Sequence, residues 1–142
     1  QKATELGVSK IVPIISDRTE IKELNFERAN KIVIEATEQS NQMSPPEISK
    51  VTKLKNYIEA LESKILFFAD VSSSNKLEPK SFKSGVTNCI LIGPEGDFSP
   101  LERELILKKS NVVPFSLSKN ILRTDTAVIS AISLVNFINN NH

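Results

Sequence analysis

The chain has 142 residues, 39% of them hydrophobic and 25% charged, which suits one domain with a single sizeable core and excludes a chain disordered throughout. Eighteen basic residues against seventeen acidic ones leave a net charge of +1, so bulk charge cannot hold a nucleic acid; such a partner needs a local patch or another domain. No apolar run approaches the ~20 residues of a membrane span, no signal-peptide pattern opens the chain, and a reducing interior fits best, cytosolic or organellar, with a cytoplasmic location expected.

In chain order, Gln1 to Gly7 reads as the end of a helix, with Gly7 as its stop. A start at Gln, already within a helix, suggests a fragment with sequence missing upstream. Ile11 to Ile15 is a short apolar strand, and Pro13 inside it suggests an edge or strand-end position. A polar connector runs from Ser16 to Leu24. Phe26, Ala29, Ile32, Val33 and Ala36 recur at helical spacing, so a helix is expected from Asn25, its N-cap, to about Gln39. Glu47 to Val51 is a weak strand. Leu54, Ile58 and Leu61 mark a second helix, with Thr52 as its cap. Ile65 to Ala69 is a buried strand, followed by a polar stretch to residue 85. Cys89 to Ile92 is the next buried strand, and Cys89 in it is a small core residue rather than part of a disulfide or zinc site. Ser99, Pro100 and Glu102 give a strong helix start: N-cap, first-turn proline and capping box. That helix runs to about Lys109. Val112 to Leu117 is a further strand, and Asp125 to Phe137 the last helix. The tail Asn139 to His142 should fray, and His142 has no role. Strands alternating with helices imply an α/β fold, a parallel sheet covered by helices on both faces.

Two turns carry the chemistry. Gly93-Pro94-Glu95-Gly96-Asp97-Phe98-Ser99 follows one strand, and Leu117-Ser118-Lys119-Asn120-Ile121-Leu122-Arg123-Thr124-Asp125-Thr126-Ala127 follows the next. Two such turns at the carboxyl ends of parallel strands form a crevice where small ligands bind. A phosphate loop wants several glycines and a lysine. The first turn has two glycines and two carboxylates, no lysine, and the wrong spacing for a dinucleotide fingerprint. Carboxylates in a tight loop repel phosphate and favour a ligand with positive charge or hydroxyl donors. S-adenosylmethionine, with a sulfonium, an ammonium and ribose hydroxyls, meets that description. An ordinary strand-to-helix turn with a solvated Glu95 meets it equally well.

At these residues the chain resembles the RsmE family of the SPOUT superfamily, which methylates N3 of a uridine in 16S (small-subunit) ribosomal RNA. Gln1 to Val8 resembles that family's K-A-T-E-L-G-V segment, Asp17-Arg18-Thr19 its E-R-S/T, and Glu35 to Ser40 its E-A-x-E-Q-S. Gly93 to Ser99 matches G-P-E-G-G-F-S except at Asp97, and Leu117 to Ala127 resembles L-G-x-R-I-L-R-x-E-T-A. The resemblance implies a SPOUT-type α/β knot, a rare exception to unknotted topology, with residues from about Gly93 to Asn136 forming a C-terminal trefoil that is itself the cofactor pocket. It also implies a homodimer, S-adenosyl-L-methionine as cofactor, no metal, ribosomal RNA or the small subunit as substrate, and a PUA-like RNA-binding domain N-terminal to residue 1. Residues 1–142 are then the catalytic domain.

Site residues follow from the same resemblance. Gly93 and Gly96 allow close backbone approach to the cofactor, Leu117, Ile121 and Leu122 wall the adenine, and Pro94, Glu95, Ser118 and Asn120 join them at the cofactor. Phe68 and Ala69 end a strand at the same pocket, with plain core as the other role for Phe68. A branched side chain at Gly96 is expected to block the ligand and to suffer from positive φ. Arg123 is the cation for the developing uridinate charge, its alternative being an ion pair with Asp125. Glu95 or Asp125 is the general base, with no choice between them. Arg18, Gln39 and Arg123 face RNA. The departures are Ser118 for Gly, Asn120 for Arg, Asp125 for Glu, Asn41-Gln42 for Gly-Arg, and Asp97 for a Gly free to adopt positive φ, a conformation Asp tolerates. The last helix carries Val128, Ile129, Ile132, Leu134, Val135 and Ile138 around its surface, which asks for cover from a second subunit or from the knot. Two other readings stay open: another SPOUT RNA methyltransferase, acting on ribose or a tRNA base, and a non-catalytic RNA-binding module that keeps the fold.

Overall fold

The computed structural model describes residues 1–19 and 23–140. Part of the connector expected between Ser16 and Leu24, and His142 at the tail, lie outside the described residues. Helix α1 (Lys2–Glu5) ends as expected: Gly7 has φ 87°, its N–H bonds to the Thr4 carbonyl, and the Val8 N–H bonds to the Ala3 carbonyl. That pair of bonds is the Schellman stop, which needs a residue free to take positive φ.

The first strand is broken at Pro13, into β1 (Lys10–Ile11) and β2 (Ile14–Ile15). Its partner is broken too, into β3 (Glu47–Ile48) and β4 (Thr52–Lys53). Both pairings are parallel, but Ile11 opposes Ile48 while Ile14 opposes Thr52. Residues 12–13 therefore face residues 49–51, so the second strand carries one extra residue, a bulge opposite the proline. Pro13 has no N–H to give to the ladder; its carbonyl still accepts from Thr52 N at 3.0 Å. Between these strands lies α2 (Phe26–Gln39), where the Asn25 side chain accepts from Arg28 N at 3.0 Å, the expected cap. Only part of its expected apolar face is covered: Val33 and Ala36 are buried, Phe26 and Ile32 exposed.

Helix α3 (Leu54–Glu59) starts without a side-chain cap. Thr52 was expected to supply one, but it is paired in β4 and its hydroxyl donates to the Lys50 carbonyl instead. Strand pairing fixes Thr52 two residues before the first helical turn, out of capping reach.

The main sheet holds three parallel strands in the order β6 (Asn88–Leu91), β5 (Ile65–Ala69), β7 (Val112–Phe115). Side chains alternate across a strand, and β5 is buried on both sides. Leu66 and Phe68 pack with Leu54, Ile58 and Leu61 of the α3 segment and Ile106 of α4 (Pro100–Leu107). Ile65 and Phe67 face Leu77, Phe82, and Ala131 and Val135 of α5 (Thr124–Asn140). Helices thus cover both faces, as a parallel sheet requires. Cys89 sits half-buried beside the first of these clusters, against Tyr57, whose phenol is pushed up by burial and by its hydrogen bond with the thiol. Helix α5 runs through Asn140, three residues beyond the end expected at Phe137. Its Asn136 amide donates to the Leu6 carbonyl at 2.9 Å, joining the two ends of the chain.

Candidate functional site

The carboxyl ends of β5, β6 and β7 open into one cleft of about 200 Å³. Ala69, Asp70 and Val71 come from the first, residues 92–97 from the second, and Ser116 to Ser118 and Asn120 to Leu122 from the third, with Thr124 and Ala127 of α5 closing it. β5 and β7 are apolar to their last residue and then turn polar at Asp70 and Ser116, while β6 runs through Ile92 into Gly93; the pairing ends where the cleft begins. Chain direction explains the opening: from β5 the chain reaches β6 on one side, then crosses by α4 to β7 on the other, leaving a gap over the end of the central strand.

The first turn is rigidly built. Asp97 has φ 60°, the left-handed conformation expected at this position, and its N–H bonds back to the Pro94 carbonyl at 2.8 Å. Phe98 is buried against Phe68, ring centroids 5.8 Å apart. The capping box of α4 is present: the Glu102 carboxylate accepts from Ser99 N at 3.1 Å and Glu102 N donates to the Ser99 hydroxyl. The other oxygen of Glu102 accepts from Asp17 N, and the Ser99 hydroxyl donates to Asp17 Oδ2 at 2.7 Å. Arg18 Nη1 donates to the Gly96 carbonyl at 2.9 Å. The Asp17-Arg18 turn is therefore a brace on the Gly-rich turn, a role for Arg18 other than RNA contact.

The two glycines differ. A Cβ on Gly93 would stand 3.2 Å from the Phe98 ring and 3.3 Å from Asp97 Oδ1, so only glycine fits without movement. Gly96 does not have positive φ, and a Cβ there would meet Arg18 carbons at 3.5 and 3.7 Å, ordinary contact distances. The backbone strain expected of a side chain at Gly96 is thus absent; the strain falls on Asp97, and the crowding on Gly93.

Of the eleven residues expected at the cofactor, all but Phe68 line the cleft. Phe68 is 1% exposed and belongs to the core, because its side chain alternates away from the strand end that Ala69 occupies. Glu95 lines the cleft, and Arg123 and Asp125 do not. Arg123 is exposed immediately before α5, its carbonyl accepting from Ala127 N, and no ion pair joins it to Asp125 among the described residues. Asp125 Oδ1 accepts from Thr126 N at the helix start. Gln39 is exposed at the end of α2, outside the cleft.

Sequence reasoning missed Asp70. It is 4% exposed, lines the cleft, and grips Arg103 of α4 through two bonds of 3.2 and 2.7 Å. This fork geometry is the strong form of the pair, and the hydrogen bond to Asp70 holds the Arg103 guanidinium above its ordinary range. The signal was present as an acid directly after a buried strand and an arginine in the second turn of α4. Polar residues in both places also suit solvent.

Residues 1–136 match the family model for an RNA methyltransferase domain. The chain belongs to that family. RNA methyltransferase domains similar to it include the ribosomal RNA small subunit methyltransferase E of Rickettsia conorii, 36% identical over 96% of this chain, and that of Aquifex aeolicus, 38% identical over 96%. The chain spans 57% and 61% of those two proteins' lengths. A crystal structure of ribosomal RNA small subunit methyltransferase E from Neisseria gonorrhoeae, bound to S-adenosyl methionine, superposes with a TM-score of 0.83 at 26% identity, covering 96% of this chain and 58% of that one. This likeness bears out the SPOUT-type α/β knot as the fold class. No helix among the described residues is long and apolar enough to cross a membrane.

Proposed function

We propose that this RNA methyltransferase domain binds S-adenosyl-L-methionine in the cleft and serves an enzyme that methylates N3 of a uridine in small-subunit ribosomal RNA. One observation carries the reading: both turns expected at the cofactor meet at the carboxyl ends of β5, β6 and β7, in a single cleft. The lining suits the group. Ile92, Leu117, Leu122 and Ala127 offer apolar walls for a purine, Gly93 and Gly96 line it with no side chain of their own, and Glu95 and Asp97 supply negative charge where a phosphate would be repelled. The bound relative from Neisseria gonorrhoeae supports the same cofactor.

When bound, S-adenosylmethionine supplies an electrophilic methyl group. The chain's own residues must then deal with the N3 proton and the charge it leaves on the uracil ring. Glu95 is the better placed of the two expected bases, since it lines the cleft while Asp125 is tied to the start of α5. Arg123, exposed one residue before the cleft-lining Thr124, carries the cation that stabilises the uridinate. Arg123 also contacts RNA, as does Gln39, and the enzyme works in the cytoplasm as a homodimer. Half-buried Val128 and Leu134 and exposed Ile129 leave α5 apolar surface for a second subunit. Sedimentation should give twice the chain's mass, and a monomer at micromolar concentration defeats the dimer.

The test of the function is calorimetry with S-adenosylmethionine, followed by transfer of its labelled methyl to small-subunit particles lacking the modification. Binding and label at uridine N3 are expected. Label on ribose or on transfer RNA would replace the substrate, and absence of cofactor binding would overturn the whole reading.

A further inference from the structure

Asp97 stands where the family pattern quoted above has glycine. Its φ of 60° folds the side chain back over the turn, so that Oδ1 comes within 3.3 Å of where a Gly93 Cβ would stand, and the residue lines the cleft. The carboxylate makes no hydrogen bond and no ion pair among the described residues. Arg103 feels its charge, but that guanidinium is already held by Asp70 through two bonds. The cleft wall therefore carries the negative charge of Asp97, which interacts with Arg103 at a distance but is tied to no partner by a hydrogen bond or ion pair among the described residues.

We propose that Asp97 is a specificity-determining residue that favours the methyl donor over its demethylated product. The inference rests on the cofactor reading given above. S-adenosylmethionine carries a sulfonium, an ammonium and a carboxylate, a net charge of +1; S-adenosylhomocysteine has a neutral thioether and no net charge. The two are otherwise the same in adenine, ribose and amino acid. A fixed carboxylate in the cleft separates them by Coulomb attraction alone, and it does so at the step where discrimination is useful: the spent product is held less tightly and exchanges for fresh donor. Glu95 lines the same cleft, but the family pattern has it too, so it adds nothing peculiar to this chain.

Calorimetry of both ligands against the unmodified chain, Asp97→Asn and Asp97→Gly tests this. Asn and Gly both accept positive φ, so the turn is kept, and thermal melts check that it is. Affinity for S-adenosylmethionine is expected to fall about three- to tenfold in both variants at low salt, with S-adenosylhomocysteine changed by less than about twofold. Equal losses for the two ligands, or no loss, would overturn the inference while leaving the cofactor reading intact. An unmodified chain that binds neither ligand would overturn that reading and this inference with it.

Discussion

The turn after β6 and the turn after β7 line the same cleft, yet they are held in different ways. The first is tied from several directions: Arg18 on the Gly96 carbonyl, Asp17 on Ser99, Glu102 on the Ser99 backbone, and Phe98 locked in the core. The second is anchored at its start, where Ser116 N donates to the Asn75 carbonyl at 2.7 Å, and beyond that by fewer and weaker ties: Ser116 Oγ to the Ser118 carbonyl, Asn120 N to the Ser118 hydroxyl, and a long 3.5 Å reach from Thr124 Oγ1 to the Gly93 carbonyl. Ile121 in its middle is 86% exposed. One side of the cleft is a shelf and the other a flap. A shelf sets where a ligand sits; a flap gains its order from the ligand, and part of the binding free energy goes into that ordering.

The contrast breaks most easily at Gly93. Gly93→Val forces a branched side chain into the Phe98 ring and the Asp97 carboxylate. Cofactor affinity should fall by about 100-fold or more, and urea denaturation should show a loss of about 2 kcal/mol from overpacking. Unchanged affinity in a folded Gly93→Val protein would mean the shelf is not where the ligand lies.

A smaller effect is expected from the brace. Arg18→Ala removes one charge-assisted hydrogen bond at an exposed site, worth about 1 kcal/mol, and should weaken cofactor binding about fivefold. Arg18→Lys should recover part of the loss. If Arg18→Ala leaves calorimetry untouched and lowers only RNA affinity, the arginine reads RNA and the shelf stands without it.

The smallest change in stability belongs to the flap. Ile121→Ser alters a side chain that touches little in the free protein, so the melting midpoint should move by less than about 0.5 kcal/mol equivalent. Affinity for cofactor should nevertheless drop about three- to fivefold, because the apolar wall it offers the purine is gone. Equal affinity would show that the flap stays open in the complex.

Legibility followed the range of the interactions. Ser99 with Glu102, Asn25, Gly7 and the left-handed Asp97 are local devices, each contained in a few consecutive residues, and each was readable as such. Buried β5 was readable because apolar residues on both faces leave little alternative. The bulge opposite Pro13 was not, since it is a relation between two strands about 37 residues apart. Thr52 looked like a cap because its composition suits one; a pairing partner at Ile14 decided otherwise. Asp70 with Arg103 and Arg18 with Gly96 are separated by 33 and 78 positions, and neither arginine announces its partner. Ten of eleven expected cofactor residues fell in the cleft because they lie in contiguous runs after strands, where chain direction alone gathers them.

The ties between residues 17–18 and 96–102 also bear on how the molecule assembles. They join positions 78 to 85 apart, and contacts so remote in the chain form slowly, after local helices and neighbouring strands are in place. A chain that has built its central strands still lacks a finished shelf until Asp17 and Arg18 dock against the turn and the start of α4. Ligand-competent molecules are thus the fully folded ones, and any ligand bound there stabilises the whole chain by mass action instead of one loop. A ligand added during refolding would accordingly leave the early steps alone and act by slowing the return to the unfolded state.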